Sequence, residues 1–444
     1  MRLTIERMAY GPDAIAHDGD GRAVFVSGAV AGDVVEAEVV EDKGSYLRAR
    51  VTKVLEPSPS RVDAACPYAS VCGGCPWASL SREAQMAAKR DAVTDALVRI
   101  GHMDAEAAEV LVAPAVRPGP DWGYRNKVEL AAVRGHGRLS LGMHAAGAAG
   151  GSAPGAGVVK VRDCLLLGSR ARGVVHSVSG ALAYLLGTRD DIDLQRVAIR
   201  SSTRTGSLEV GMWTSPSPFP RAQAAKTLGK ATPLTSLVRI VQKGPAKARR
   251  VVKVERLDGD GSWEEQVCDV RMRFSAPSFF QVNTKGAEQL VELVLAALEP
   301  TKDDLCWDLY SGAGTFTLPL AQRAGWVYAV ESASSSVRDL RRNLASAGIS
   351  NVEAIGGDAA LESPEEEPDL VVVDPPRAGL APDVVDMLSG CGARRIAYVS
   401  CDPATLARDL ARFGERDAYQ VASIQPVDQF AQSFHVEAVA VLKR

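Results

Sequence analysis

The sequence predicts an α/β protein in three parts: an OB-like β-barrel at residues 1–60, a central α+β domain at 61–275, and a Rossmann-like α/β domain at 276–444. Three observations carry that reading. The chain has 444 residues, too many for one core at about 150 residues per domain. Residues 1–60 alternate short apolar runs with glycine-marked turns. From residue 276 the pattern changes to short apolar strands alternating with helices, the signature of a parallel sheet covered on both faces.

Taken in order, Leu3–Met8, Ala23–Val26, Val34–Val40 and Leu47–Leu55 read as barrel strands, punctuated by Gly11, Gly19, Gly21, Gly28, Gly32 and Gly44. Even spacing with glycine turns marks a small closed barrel of the kind that binds oligonucleotides. Pro57-Ser58-Pro59-Ser60 reads as a linker. A helix opens at Ser79 or Ser81 and runs to about Ile100, with Ser81 and Gln85 as a loose capping pair. This helix, residues 79–100, is placed to pack on the C-terminal domain. Residues 124–270 alternate strand-like runs with Gly and Pro turns, and Ala145–Gly157 reads as a mobile small-residue loop. Further on, helices at Ala287–Leu298, Thr315–Ala324 and Val337–Ala347 alternate with strands at Leu305–Leu309, Val327–Val330 and Leu370–Val373. Ile396–Ser400 and Ala438–Leu442 read as the last strands.

Composition narrows the class. At 46% apolar and 24% charged residues, the chain has the balance of a globular protein. The opening MRLTIERMAYG lacks a basic-then-apolar signal pattern. No segment offers the roughly 20 uninterrupted apolar residues needed to cross a bilayer. The expectation is a cytoplasmic monomer that does not enter a membrane. The net charge of -3 does not advertise a nucleic-acid partner, but Arg221 to Arg256 holds ten basic residues and one acid, Glu255. Phosphate binding follows the local field rather than whole-chain charge.

The candidate chemistry lies in the C-terminal domain. Asp308-Leu309-Tyr310-Ser311-Gly312-Ala313-Gly314 follows a strand and precedes a helix. Gly312 and Gly314 let the backbone turn tightly against a ligand at the carboxyl edge of the sheet. Glu331 closes the next strand, 23 residues after Asp308, where a carboxylate accepts from both ribose hydroxyls. Asp358, after the following strand, is placed to meet an adenine amino group. Together they point to an adenosine-containing cofactor, and the lack of a Lys-[Ser/Thr] phosphate loop argues against ATP.

Asp374-Pro375-Pro376-Arg377 breaks a strand at the sheet edge, where ligands bind. Amino-group methyltransferases use similar segments. Cys401 sits at a strand end, just before a helix that starts near Thr405. A helix N-terminus lowers a thiol pKa. An unactivated pyrimidine carbon must first be made nucleophilic, which a thiolate does and which transfer to oxygen or nitrogen does not require. His435-Val436-Glu437 offers a carboxylate base.

Residues 276–444 resemble the catalytic domain of the RNA uracil-C5-methyltransferases. The matching pieces are Phe279-Phe280-Gln281-Val282-Asn283, DLYSGAGTFTLPLA from Asp308, DPPRAGL from Asp374, YVSCDPATLARDL from Tyr398 and His435-Val436-Glu437. Tyr124-Arg125-Asn126-Lys127 matches upstream, and the barrel resembles a TRAM domain, an RNA-binding module. The resemblance implies S-adenosylmethionine as cofactor and 5-methyluridine in RNA as product. It implies Cys401 as the nucleophile that adds to C6 and Glu437 as the base. It also gives Gln281 and Asp374 to the uracil edge or the cofactor, and Phe279 to stacking on a base. The family has a Pro-His-Thr run before the final His-x-Glu, whereas this chain reads Ala431-Gln432-Ser433-Phe434.

Cys66, Cys72, Cys75 and Cys164 offer four thiolates, and their spacing alone leaves zinc and iron–sulfur open. The resemblance implies a [4Fe–4S] cluster. Cys268, Cys306 and Cys391 read as packing residues. Barrel and cluster together resemble the 23S ribosomal RNA enzymes more than the shorter tRNA enzymes. Two other readings leave features idle. An RNA amino-methyltransferase built on Asp374-Pro375-Pro376 gives Cys401 and Glu437 no task. A non-catalytic RNA-binding or redox-sensing protein gives none to Cys401, Asp374 and Glu437.

Overall fold

The computed structural model describes residues 1–135, 138–146, 157–245, 248–362 and 364–444. The small-residue run Ala145–Gly157 therefore lies mostly outside the described residues, as does Lys247.

The first six strands are β1 (Arg2–Thr4), β2 (Arg7–Met8), β3 (Ala14–His17), β4 (Ala23–Ser27), β5 (Val34–Asp42) and β6 (Tyr46–Glu56), in the order β1-β5-β6-β4-β3-β2. The single strand expected over Leu3–Met8 breaks at Ile5-Glu6. One half pairs with β5 and the other with β3, which closes the sheet on itself. The expected linker is pinned to this barrel. Ser58 N–H donates to the buried Asp33 carboxylate at 2.9 Å, and Arg61 Nε donates to it at 3.1 Å.

Helix α1 (Arg82–Arg99) is capped by Ser81, whose hydroxyl accepts from Ala84 N–H. Gln85 does not complete a capping box. Its amide donates inward to the Trp77 and Leu80 carbonyls. Val93, Ala96 and Leu97 of α1 and Ala108 of α2 (Ala105–Leu111) enter the core of the C-terminal domain, so the sequence neighbours of the barrel are packed on that domain.

The central sheet has β7 (Lys127–Gly135), β8 (Arg138–His144), β9 (Val158–Val159), β10 (Leu194–Ser201), β11 (Leu208–Thr214), β12 (Ser236–Lys243) and β13 (Arg250–Gly259). Helices α3 (Val174–Leu186) and α4 (Arg221–Ala231) cover one face. The other face carries Ala198, Trp213, Val238 and Ile240, clustered with Ala276. The basic stretch is thereby dispersed over α4, β12 and β13. Glu255 alone takes Arg221, Arg239 and Lys253, and Arg239 is buried. The hairpin β14 (Ser262–Val267) and β15 (Val270–Ser275) sends Trp263, Met272 and Phe274 against Phe280, Leu318 and Leu340. It therefore belongs physically to the C-terminal layer, although it precedes residue 276.

That layer runs α5 (Thr284–Leu298), β16 (Leu305–Leu309), α6 (Thr317–Ala321), β17 (Trp326–Glu331), α7 (Ser334–Ala347), β18 (Val352–Gly356), β19 (Leu370–Val373), α8 (Pro382–Gly390), β20 (Arg395–Ser400), α9 (Pro403–Glu415), β21 (Gln420–Val427) and β22 (Glu437–Lys443). The sheet order is β18-β17-β16-β19-β20-β22-β21. The first five strands in that order are parallel, and β22 is antiparallel to both neighbours, so the parallel sheet read from the sequence has an antiparallel edge. Chain order reverses between β16 and β19, and such a switch point opens a crevice at the carboxyl ends of the strands.

Trp77 links the layers. It is fully buried in the barrel core, its indole N–H donates to the Gly11 carbonyl at 3.1 Å, and its backbone N–H donates to the Gln432 carbonyl at 3.1 Å. Trp77→Ala is expected to destabilise this junction by about 3–5 kcal/mol. Calorimetry should show an earlier first transition and limited proteolysis should show cleavage near Pro57–Arg61; an unchanged melt and digest would refute that anchoring role.

Candidate active site

The crevice between β16 and β19 collects the first set of sequence-selected residues. Asp308, the penultimate residue of β16, is fully buried, with Oδ2 accepting from the Thr317 hydroxyl and Oδ1 without a partner among the described residues. Burial, with Asp374 and Glu331 adding repulsion, pushes its carboxyl up to about 7. Tyr310 takes a left-handed φ of 64°, which L-residues rarely adopt, so the loop holds it against an intrinsic preference. Gly314 has φ 101°, and an added Cβ would stand 2.3 Å from Leu318 and 2.7 Å from Leu340. Ser311 Oγ is a second buried group without a partner among the described residues.

Glu331 ends the neighbouring strand. Its carboxylate accepts from the Gly312 N–H at 2.9 Å and from the Ala333 N–H, so it is oriented while keeping lone pairs for further donors. Asp358 lies exposed after β18, holds its own turn through Ala360 N–H at 3.0 Å, and faces the Tyr310 phenol electrostatically. Orphaned Asp308 and Ser311 oxygens, an oriented Glu331 and a glycine cradle at a switch point fit an adenosyl cofactor.

The second set meets one strand further on. Ser400 of β20 pairs with Ala438 of β22 in antiparallel register, so the next residue, Cys401, stands across from Glu437. Asp374 follows β19 and its N–H donates to the Leu309 carbonyl at 3.3 Å. Gln281 lies beside Asp374 and accepts from the Gln429 amide at 3.2 Å. Phe280 enters the aromatic core with Trp263 and Phe274, while Phe279 is 67% exposed and free to meet a ligand.

The electrostatics reverse one sequence expectation. Burial first, then Glu437 and Asp374, push the Cys401 thiol up to about 12; Arg377 pulls the other way. The helix N-terminus does not lower it because Asp402 occupies that position: its carboxylate accepts from Ala404 N–H at 3.0 Å and Thr405 N–H at 3.1 Å. The amide dipoles are satisfied before they reach the thiol. Burial pushes Asp374 up to about 7 against the Gln281 hydrogen bond. Glu437 is raised well above an ordinary carboxyl by burial and by Asp374, and its Oε2 has no partner among the described residues. His435 is driven down to about 4 by burial and by Arg377, Lys89 and Arg125, so it is neutral at physiological pH.

The segment that departs from the family pattern is held by buried polar contacts. Lys89 and Arg82 of α1 both pair with Asp428 inside the protein, and Lys89 also donates to the Phe430 carbonyl at 2.9 Å. Gln432 adopts φ 69° and exchanges hydrogen bonds with Gln85. Sequence reasoning had no signal for this strap. Nor did it select Arg377, although the residue stood in view after the two prolines, or Tyr10, whose phenol feels the charges of Cys401 and Glu437 from the barrel.

The four N-terminal thiols also converge. Cys75 is in electrostatic contact with Cys164, Cys66 and Cys72, and Cys164 with Cys72 and Cys66. Gly74 N–H approaches Cys72 Sγ at 3.5 Å, and half-buried Arg125 faces Cys75 and Cys164. Among the described residues, no three His, Cys, Asp or Glu side chains close tightly enough for a single ion.

Comparison with known proteins gives this geometry its family. The tRNA (Uracil-5-)-methyltransferase family matches residues 253–444, and the TRAM domain matches residues 1–52. The chain is 34% identical to the 23S rRNA (uracil(1939)-C(5))-methyltransferase RlmD of Methylococcus capsulatus, over 100% of this chain and 98% of that protein. It is 34% identical to an RNA methyltransferase of Chlorobaculum tepidum, over 100% of this chain and 96% of that one. The fold matches the Pyrococcus abyssi tRNA (uracil-54, C5)-methyltransferase, solved with S-adenosyl-L-homocysteine, at TM-score 0.76 and 24% identity over 100% of both chains. Fold and crevice thus define an S-adenosylmethionine-dependent methyltransferase. The chain belongs to the RNA uracil-C5-methyltransferase family, and its reaction is methylation of C5 of uracil in RNA.

Gly314→Ala puts a methyl group into Leu318 and Leu340 at a left-handed φ. It is expected to weaken S-adenosylhomocysteine binding at least about tenfold, by about 1.4 kcal/mol or more; calorimetric titration showing wild-type affinity would disprove the close-packed cradle.

Proposed function

We propose that this enzyme methylates C5 of a uridine in 23S ribosomal RNA through a covalent Cys401 adduct. The observation that supports the mechanism is the placement of Cys401 opposite Glu437, with Asp374 and Arg377 close to both. In this reading the Cys401 thiolate adds to C6 of the uracil, and the electron pair moves onto the C4 carbonyl, leaving C5 nucleophilic. S-adenosylmethionine supplies an electrophilic methyl group to such a carbon. The Glu437 carboxylate then takes the C5 proton, and the electrons of that bond reform the C5–C6 double bond as the Cys401 thiolate departs.

Asp374 and Gln281 read the uracil edge, and exposed Phe279 stacks on a base. Asp308, Tyr310, Gly312 and Gly314 cradle the cofactor, with Glu331 on its ribose and Asp358 towards its adenine. Burial of Glu437 matches the task, since a base is most effective with a pKa near the working pH. The target must be flipped out or unpaired, because a stacked base cannot present C6 to a thiol. Identity of 34% to the Methylococcus capsulatus 23S rRNA enzyme, against 24% to the Pyrococcus abyssi tRNA enzyme, supports ribosomal RNA as the substrate.

We further propose that Cys66, Cys72, Cys75 and Cys164 hold a [4Fe–4S] cluster. Four converging thiols, an N–H directed at Cys72 and a half-buried guanidinium facing two of them suit an anionic thiolate-bound centre, and the family resemblance favours iron–sulfur over zinc in it. Such a group ties the segment after the barrel to the central domain. Anaerobic protein should carry iron and labile sulfide, and Cys75→Ser should lose both; bound zinc in their place would refute it.

Nucleoside mass spectrometry of ribosomal and transfer RNA, from cells with and without the gene, should place the lost 5-methyluridine in 23S RNA. Loss from tRNA would move the substrate, and an N-methyl product would overturn the reaction. Cys401→Ala should abolish both turnover and the RNA–protein adduct, whereas Glu437→Gln should accumulate a methylated adduct.

The pH dependence has a definite sign. A thiol held towards its neutral form becomes more nucleophilic as pH rises, and Glu437 also works ionised. kcat/KM should therefore climb from about pH 6 to 9 without an acid-side optimum. Removing the repelling Glu437 charge should move the rise in adduct formation to lower pH; a profile unmoved in Glu437→Gln would break the coupling.

A further inference from the structure

A groove of about 250 Å³ lies where the barrel, α1 and the first turn of α9 meet. Arg7 and Tyr10 come from the barrel, Asp91, Ala92 and Arg99 from α1, and Ala404 from α9. Pro403 and Ala404, on its floor, directly follow Cys401 and Asp402. Tyr10 lines the groove, packs edge-on to Phe434 at 5.7 Å, and its phenol lies within the electrostatic influence of Asp402, Cys401 and Glu437. The phenol makes no hydrogen bond among the described residues, although burial raises its pKa and a partner would be favoured there.

The lining has the chemistry of a nucleotide subsite. Tyr10, Met8 and Ile100 give an apolar and aromatic wall on which a base can stack. Arg99 is exposed at the rim, and Arg7 is tied only to Asp95, in a half-exposed pair that solvent screens. Guanidinium groups suit phosphates, and Asp91 offers a carboxylate to a 2′-hydroxyl or an exocyclic amine. A flipped uridine leaves its neighbours unstacked, and a groove lined by Pro403 and Ala404, two and three residues beyond the nucleophile, is placed to receive one of them.

We propose that this groove binds the base and ribose of the nucleotide adjacent to the target uridine, with Tyr10 as the positioning residue that separates the two bases. The proposal rests on the uracil-C5 reading of the site, and it gives the barrel a place in the active site beyond general RNA attachment. Arg99 would meet the phosphate between the two nucleotides, and Ala92 would lie under the neighbouring base.

The test uses full-length protein and an RNA stem-loop that the wild type methylates. Ala92→Trp fills the groove without touching Cys401, Glu437 or the cofactor crevice. It should raise KM for RNA at least about tenfold, with kcat and S-adenosylhomocysteine affinity within about twofold of wild type. Replacing the adjacent nucleotide by an abasic one, on the 5′ and then the 3′ side, should cost the wild type a similar factor on one side only. The same replacement should cost Ala92→Trp nothing further. Arg99→Gln, on the exposed rim, should raise KM and reduce the salt dependence of binding by about one phosphate contact. Wild-type KM in Ala92→Trp, or abasic effects that simply add to it, would overturn the proposal. If the wild type yields no 5-methyluridine at all, the reading of the reaction fails instead, and the two failures are distinguishable.

Discussion

The antiparallel pairing of β22 with β20 is the constraint on which the site depends. Five parallel strands put Asp308, Glu331, Asp374 and Cys401 along one edge of the sheet, but none of them supplies a carboxylate opposite the thiol. The last strand runs the other way, so its first residue, rather than its last, lies at that edge. That places Glu437 across from Cys401. Because side chains alternate with a period of two, a slip of one residue would turn the carboxylate to the other face. The register is secured by Ala438, Val439, Ala440 and Leu442, all buried between β20 and β21.

Electrostatics then set the resting state of the pocket. A cysteine after a strand and before a helix reads as an activated thiol, yet here Asp402 caps the helix and two carboxyls face the sulfur. Cys401, Asp374 and Glu437 are all held towards their neutral forms, with Arg377 as the cation that opposes this for Cys401 and Glu437. A thiol that is neutral at rest is poorly reactive towards oxidants and stray electrophiles. Cations favour the ionised forms of all three groups, and the sulfonium of S-adenosylmethionine is a cation.

The parts of the fold legible in the sequence were those with an uninterrupted apolar signal. Leu370–Val373 is four buried aliphatic residues and was read to the residue, as was Leu305–Leu309. Mixed signals failed. Val174–Leu186 carries valines, two serines and a glycine and was read among strand-like runs, yet it is helical because α4 and the central sheet bury Val175, Val178, Leu182 and Leu186. Gln420–Val427 is a polar edge strand ending in a proline-containing step, without a periodic apolar face to announce it. The glycine turn and the Asp-Pro-Pro and Ser-Cys-Asp segments located the crevice, because each is a local backbone requirement. The caps and pockets built between distant segments had no local signature, and Tyr10 is the clearest case.

The strap from Asp428 to Phe434 shows how the N-terminal half enters the chemistry. Two buried cations on one carboxylate are a poor source of net stability, since their desolvation offsets most of the attraction. They are strongly directional, however, and breaking one side would leave a buried charge unpaired. Asp428 sits just before Gln429, which meets Gln281, and Gln281 meets Asp374. At the other end Gln432 is tied to Gln85 and Trp77, and Tyr124 donates to the Ala431 carbonyl at 2.9 Å beside Cys75 and Cys164. In place of the family's proline and histidine, this chain fixes the strap with a glutamine at positive φ and amide hydrogen bonds. The distance from α1 to Gln281 and Asp374 is thereby spanned by buried polar contacts, each with one satisfied geometry, and the carboxylate at the head of β22 inherits its position from them.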